Sequence, residues 1–486
     1  MERIEVTESG DRDLDKNAEN PGQGWENLSR ETEEPNWGIV DEMEAQLEGE
    51  EVEREKSEYE KFSEEIANTH VVVYEQLNAS NDKEAKAEFL ENDELTRPNN
   101  FYGNLDVAKD LENLKELDRI KEEINETSMS EKEKRALEVF WDDNKRKNDF
   151  LISNYVYNTA KTPEEKEEAK KWHEEVNEAL YGKPDEGTFY AILREKLESI
   201  SPETEEEKAE QKALIEKIGD LPEAGVGRFK PKGETVARFS EVINEFFGGF
   251  LAHIPEEKEE FSSEEIVAII NEILEEEFDG GTEYTAVIDS GKANASVNND
   301  ERKIKFPEGK TYSKDRAKAL ICHELGTHVM RAIPYEGHPN VAFSRELPGN
   351  VEFDEGVAKC VEQAIKGKYE DSGIYHYINI GMANFKGKNF REVYEISKSL
   401  NKLDKKDTRS EDKVLTDVQR CFRGTGELPN NKDLAYYNGA NQVWKYIEEN
   451  IDDPELLMDH LFLSGKTIAT DKSQERLVYE TKVGGL

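Results

Sequence analysis

Two histidines, five residues apart, enclose a glutamate in the stretch His323-Glu324-Leu325-Gly326-Thr327-His328. Zinc takes imidazole nitrogens and carboxylate oxygens as ligands, and a catalytic zinc site keeps three protein ligands and one open position. A carboxylate next to the first ligand suits a general base that takes a proton from water. The stretch therefore predicts a zinc site with His323 and His328 as ligands and Glu324 as the catalytic base.

The spacing of the two histidines is a geometric difficulty on a regular helix. Residues five apart lie about 140° apart around an α-helix, whereas residues four apart differ by about 40°. A local widening of the helix, as in a π-bulge, brings both rings to one side. Gly326 lies inside the interval and would ease that distortion. We therefore predict an irregular turn at residues 325–327.

A third metal ligand has to come from another segment. The stretch 351–358 reads Val-Glu-Phe-Asp-Glu-Gly-Val-Ala and is typical of the start of a helix. His338, in the loop between the two segments, is a further alternative and is more simply read as an exposed loop residue. The carboxylates that spacing alone leaves open are Glu352, Asp354, Glu355 and Glu362.

The elements that must position these residues can be read from the surrounding sequence. Ser262, with a glutamate three residues later, predicts a capped helix over 266–274. Apolar alternation predicts short strands at 284–288 and 303–306. A helix capped by Ser313 then leads into the histidine motif. Helix, short strands and a ligand-bearing helix is the order found in zinc peptidases.

The chain as a whole divides into three parts by composition. Residues 1–65 are dominated by acidic and polar residues and predict a disordered acidic extension. Residues 66–230 carry apolar residues at helical spacing without chemical motifs and predict a helical domain. Residues 231–486 hold the motifs and predict a zinc metallopeptidase domain. The expected fold class is α+β and mostly helical, with a zincin-like catalytic domain built on a small sheet and the motif-bearing helix.

Charge and cysteine content narrow the partners and the compartment. The 486 residues carry a net charge of −45, which repels nucleic acid and anionic lipid, so we expect neither as a partner. No apolar run reaches the length of a membrane helix. Three cysteines without a CxxC pair, and no secretory signal, favour a cytoplasmic location. The sequence carries no signal of oligomeric state.

The motifs together resemble the microtubule-associated tyrosine carboxypeptidase family. The resemblance rests on residues 323–331 and on Asp354-Glu355-Gly356-Val357-Ala358, which corresponds to a Gln-Glu-Gly-Leu-Ala motif of bacterial relatives with Asp354 in place of Gln and Val357 in place of Leu. Residues 420–424 and 432–436 extend it, and it covers about residues 240 to 450. The resemblance implies that His323, His328 and Glu355 bind zinc and that Glu324 is the base.

The resemblance implies a carboxypeptidase that removes the C-terminal residue of a peptide or protein. Such an enzyme needs a cation for the terminal carboxylate, ideally a bidentate arginine, and Arg423 and Arg420 are the candidates. Tyr436 is the candidate hydroxyl for stabilising the tetrahedral oxyanion. Two alternatives stay open: an exopeptidase that resembles dipeptidyl peptidase III, and a non-enzymatic, zinc-containing interaction or regulatory protein.

Overall fold

The computed structural model describes residues 56–222, 228–278, 281–292, 294–336, 338–341, 347–471 and 474. An acidic extension was predicted at residues 1–65, and residues 1–55 of it lie outside the described part of the chain. Its predicted end falls inside a helix, Glu58–Asn68, whose Tyr59 and Ile66 are buried. The described residues from Ser57 onward form one compact unit.

Helices follow one another up to residue 252. Several begin with a capping box, in which a Ser or Thr and a Glu three residues later bond each other's backbone; the capping residues are Ser57, Ser130, Thr162 and Thr204. The helices are α1 (Glu58–Asn68), α2 (Val73–Gln76), α3 (Asp82–Glu91), α4 (Val107–Glu126), α5 (Glu131–Thr159), α6 (Pro163–Tyr181), α7 (Glu186–Ser199), α8 (Glu205–Ile218), α9 (Gly233–Phe246) and α10 (Gly248–Ala252).

Short strands and two helices lead into the histidine motif. They are β1 (Glu260–Ser262), α11 (Ser263–Glu276), β2 (Thr285–Asp289), β3 (Ser296–Asn298), β4 (Lys303–Pro307), β5 (Thr311–Ser313) and α12 (Lys314–His323). Strand β1 pairs antiparallel with β5, while β2 runs parallel and β3 antiparallel to the central β4. The capping box of Ser262 and the cap by Ser313 are confirmed, as are the two predicted strands to within one residue.

The remainder of the described chain is helical. It consists of a π-helix (Glu324–Val329), a 3-10 turn (Ile333–Tyr335), α13 (Asn350–Ile365), α14 (Ile374–Lys386), α15 (Phe390–Leu403), α16 (Glu411–Cys421), a 3-10 turn (Asn431–Asp433), α17 (Leu434–Asn450), α18 (Pro454–Met458) and a second π-helix (Asp459–Leu463). Helices α13 and α17 pack directly against each other.

Two large apolar clusters hold these elements together. One joins α9, α11, the three-stranded sheet, α12, α13 and α17, and includes the fully buried Trp444. The other joins α3, α7 and α8 to α14, α15 and α16. This second cluster combines helices that precede residue 230 with helices that follow it. The division of the chain into domains at residue 230 stays a prediction.

The mostly helical composition with small sheets confirms the α+β class. The zincin-like character of the catalytic part stays a prediction. Among the described residues, none of the helices combines the length and apolar character needed to span a bilayer.

Candidate active site

The two motif histidines come together because the helix widens between them. Helix α12 ends at His323 and continues as the π-helix Glu324–Val329. The amide of Met330 donates to the carbonyl of Leu325, five residues back, at 3.0 Å. This winding places the ring centres of His323 and His328 5.0 Å apart. The predicted irregular turn is confirmed, and it takes the form that the five-residue spacing requires.

Gly326 is needed in this turn for a reason that the sequence did not reveal. A Cβ atom built on Gly326 would lie 2.7 Å from the ring of Phe247, which packs against the π-helix. Phe247 is itself 1% exposed. The glycine therefore gives room to an aromatic ring of the core, and the widened turn rests on that ring.

Each histidine ring has a carboxylate at its Nδ1 atom. Nδ1 of His328 lies in a hydrogen bond of 2.6 Å with Asp354, and Nδ1 of His323 lies 2.7 Å from Glu362. Both carboxylates belong to α13, which packs alongside α12 and the π-helix. A carboxylate that holds one imidazole nitrogen orients the other nitrogen toward a metal. The Nε2 atoms are therefore the ones that could bind a metal.

Each of these two carboxylates is in turn paired with two cations. Asp354 lies 2.7 Å from Arg331 and 2.8 Å from Lys466. Glu362 lies 2.8 Å from both Arg316 and Lys359. Burial raises the pKa of both carboxyl groups, but the neighbouring positive charges outweigh it and hold both pKa values well below their usual range. Both groups therefore stay ionised.

The donor atoms at this place fit a metal ion. Donor atoms of His323, Glu324 and His328 lie within 4.8 Å of one another, and the three side chains are largely buried. Two imidazoles and a carboxylate form a donor set that suits zinc. Within the described residues, Glu324 and not Glu355 is the carboxylate gathered directly with the two histidines.

Glu355 lies beside this group, on α13. Burial lowers the pKa of His328, but the charge and hydrogen bond of Asp354 raise it, and the pKa lies above its usual value. The negative charge of Glu355 adds a smaller contribution in the raising direction. Glu355 also has the largest effect on Tyr436, where its charge, together with burial, raises the pKa of the hydroxyl. The phenol of Tyr436 therefore stays protonated and can donate a hydrogen bond in the neighbourhood of Glu355.

A close helix crossing produces the neighbourhood of Glu355 and Tyr436. Gly356 on α13 and Gly439 on α17 lie against each other, without side chains between the two backbones. A Cβ on Gly439 would lie 1.8 Å from the carbonyl oxygen of Glu352, and one on Gly356 would lie 2.4 Å from the carbonyl of Gly439. The glycine that follows Glu355 in the motif is thus required by packing.

The predicted substrate-binding arginines have different surroundings. Arg420 donates to Asp433 at 2.7 Å and to the hydroxyl of Tyr436 at 3.2 Å. Within the described residues, the guanidinium of Arg423 makes no hydrogen bond or ion pair, and burial lowers its pKa. Arg420 is therefore engaged in orienting Tyr436, whereas Arg423 is left for another anion.

Lys432 is a third cation at this place and was not singled out by the sequence. Burial lowers its pKa, although the charges of Asp433 and Glu355 oppose that effect. Its ammonium lies 5.7 Å from the ring of Tyr74, and Arg423 also acts on the hydroxyl of Tyr74. The one available signal was its position next to Asp433 in the stretch that resembles the family.

The remaining candidate ligands lie in other surroundings. Burial raises the pKa of Glu352 to about 7, partly offset by a hydrogen bond from Asn438 on α17. His338 accepts a hydrogen bond of 2.9 Å from the amide of Asn340. Asp354 and Glu362 hold the histidines from behind. Arg331 and Lys466 were also missed by sequence reasoning, because their contacts join segments far apart in the chain.

Comparison with known proteins gives one result that agrees with this site. Residues 226–483, more than half of the chain, match the family described as microtubule-associated tyrosine carboxypeptidase. No curated protein and no solved structure matches the chain. The matched segment contains the histidine motif, both supporting carboxylates, the glycine crossing and the three cations. The chain belongs to the microtubule-associated tyrosine carboxypeptidase family.

Proposed function

We propose that this protein is a zinc-dependent carboxypeptidase that hydrolyses the last peptide bond of a peptide or protein. The observation that carries the proposal is the π-helix, which brings His323 and His328 together while carboxylates of α13 occupy both Nδ1 atoms. A regular helix would separate the two rings. A widened helix with both rings supported from behind is what a metal centre with these two ligands needs.

His323, His328 and Glu355 would hold the zinc ion. Glu355 is preferred over Asp354 and Glu362 because those two carboxylates are engaged at the histidines, and over Glu352 because that group faces Asn438 while the charge of Glu355 acts on His328. A bound zinc ion supplies Lewis acidity toward the substrate carbonyl and toward water. Glu324, which is 4% exposed and follows the first ligand, takes a proton from the attacking water as its oxygen bonds to the carbonyl carbon. The same proton then passes to the leaving amine as the C–N bond breaks.

Tyr436 and the neighbouring cations act on the substrate. The phenol of Tyr436, protonated and held by Arg420, donates a hydrogen bond to the oxygen that becomes negative in the tetrahedral species. Arg423 and Lys432 bind the terminal carboxylate of the substrate, because both are half-buried cations without an ion pair among the described residues. This arrangement favours a free C-terminus, and the family description suggests tyrosine as the residue removed.

The first experiment combines metal analysis with peptide hydrolysis. Elemental mass spectrometry on purified wild type should find about one zinc per chain, and Glu355→Ala should lose or weaken it. Glu324→Gln should keep the zinc and lose about 10²- to 10⁴-fold in kcat, since a general base contributes that much. The substrates are peptides that end in tyrosine or alanine, each with a free or an amidated C-terminus and with a free or an acetylated N-terminus.

Each outcome of this experiment separates the alternatives. Cleavage that requires a free C-terminus supports the carboxypeptidase. Cleavage that instead requires a free N-terminus would indicate an exopeptidase that resembles dipeptidyl peptidase III. Wild type that takes up no zinc, even after reconstitution, would leave an interaction or regulatory protein.

A further inference from the structure

The carboxylate behind His328 is fixed by a residue from a distant part of the chain. Oδ2 of Asp354 lies 2.6 Å from Nδ1 of His328 and 2.8 Å from the ammonium of Lys466. Oδ1 of the same carboxylate lies 2.7 Å from Nε of Arg331. Arg331 is 0% exposed and Lys466 is 2% exposed. The position of this carboxylate is therefore determined by two buried cations as well as by the histidine.

Arg331 fastens the segment that carries Lys466. Its guanidinium donates to the backbone carbonyls of Leu461 and Thr467 and to the side chain of Asn350. The two carbonyls lie on either side of Lys466, so Arg331 and Lys466 approach Asp354 as one assembly. A single arginine thus joins the end of the motif helix, the start of α13 and the segment after the second π-helix.

We propose that Lys466 is a positioning residue of the metal centre, which fixes Asp354 and through it the ring of His328. The inference rests on the proposed function, because it presumes that His328 binds zinc. Burying an ammonium group costs several kcal/mol unless it is well paired. Here the pairing partner is the carboxylate that orients a ligand, so the buried charge serves the geometry of the ligand.

The sign of the effect on zinc binding distinguishes positioning from simple charge repulsion. An ammonium near a divalent cation repels it, so if charge alone mattered, removing Lys466 would tighten zinc binding. If Lys466 acts by holding Asp354, its removal frees the carboxylate and the ring and weakens zinc binding. Loss of an outer partner of a metal ligand costs about 10- to 100-fold in metal affinity.

The test measures the zinc dissociation constant of the full chain by competition with a chromophoric chelator. Lys466→Met should raise this constant about tenfold or more. The matched control is Lys147→Met, because Lys147 is also a buried lysine, 2.7 Å from Asp143 on α5, away from the site. The control should lower stability, because it leaves Asp143 without this partner, and should leave the zinc dissociation constant within twofold of wild type. A value for Lys466→Met that is unchanged or lower than that of wild type would overturn the inference.

A double-mutant cycle shows whether Lys466 acts through Asp354. Asp354→Asn should weaken zinc binding, and adding Lys466→Met to it should change the dissociation constant less than twofold. A further tenfold loss would mean that Lys466 acts by another route and would overturn the inference. This pair of variants also serves if Lys466→Met alone does not fold, because the double variant leaves no unpaired Asp354 charge. Wild type that binds no zinc would remove the proposed function as well, whereas zinc-binding wild type with an unaffected variant would remove only this inference.

Discussion

At the scale of single residues, the site contains one arginine that forms an ion pair and one that forms none among the described residues. Arg420 is held by Asp433 and reaches Tyr436, whereas the guanidinium of Arg423 makes no ion pair among the described residues. A half-buried cation without a direct ion pair loses part of its hydration in the free protein. In the proposed function, the terminal carboxylate of the substrate would pair with this cation, so Arg423 would lower the stability of the free protein slightly and raise the affinity for the substrate.

The variant Arg423→Gln tests whether this arginine lowers stability and binds the substrate carboxylate. We expect kcat/KM for peptides with a free C-terminus to fall about 10- to 100-fold, since hydrogen bonds to charged groups contribute about 1.5–3 kcal/mol. We expect the thermal midpoint to stay equal or rise slightly, because a half-buried charge without an ion pair among the described residues has been removed. The control is Arg119→Gln, an exposed arginine that pairs with surface glutamates. A lower thermal midpoint with unchanged kcat/KM would show a structural role instead.

The sequence predicted the residues that carry a motif and missed those defined by contacts. His323, Glu324 and His328 were recognisable because donor types and spacing have a chemical meaning within six residues. The carboxylates of α13 were recognised as a group, but their roles depend on which of them face the histidine rings. Lys466 had no signal, because its partner Asp354 lies 112 residues away.

At the scale of elements, the site depends on how closely α13 and α17 approach. Gly356 and Gly439 meet where the helices cross, and this contact brings Glu355 and Tyr436 into one neighbourhood. The sequence predicted the helix that contains Gly356 but not its partner helix. Strands β1, β3 and β5 were also missed, because three residues are too few to show a periodicity.

Gly439→Ala tests the crossing. Its Cβ would lie 1.8 Å from the carbonyl oxygen of Glu352, and a backbone atom cannot move without shifting a helix. We expect a loss of about 3 kcal/mol in the free energy of unfolding, measured by urea denaturation, together with lower activity. Gly248→Ala is the matched control, because its Cβ meets nothing within 4 Å. That control should be neutral or stabilising by up to about 1 kcal/mol. Equal stability of the two variants would contradict the close crossing.

At the scale of the whole molecule, the net charge is strongly negative, but the surroundings of the site are rich in positive charge. The chain carries a net charge of −45, yet the buried Arg331 and Lys466 and the half-buried Arg423 and Lys432 collect around the site. Composition predicted the total, and no feature of the composition predicted where the cations gather. Other buried titratable groups lie in the helical part of the molecule, where they affect stability rather than chemistry.

His173 makes stability depend on pH. Burial lowers its pKa to about 4, from about 6.5 in an unfolded chain. Between these values the unfolded state takes up a proton that the folded state does not, so stability decreases as the pH falls from 6.5 to 4. The loss approaches about 3 kcal/mol at pH 4. Urea unfolding at several pH values should show a shallower decrease for His173→Gln than for wild type.

Comparison with a variant is needed because another group acts in the opposite direction. Burial raises the pKa of Asp110 to about 6, so this group favours the folded state as the pH falls below that value. Wild type alone reports the sum of such contributions. Identical pH dependence of stability in wild type and His173→Gln would contradict the assignment to His173.

The π-helix also has a consequence for how the motif could have arisen. A single extra residue within a helix turn is absorbed locally, so α12 before it and the residues after it keep their packing against the core. Deleting Gly326 would leave His-Glu-Leu-Thr-His, the four-residue spacing that an ordinary α-helix accommodates. The two kinds of histidine motif thus differ by one inserted residue, and the helix takes up that residue by widening.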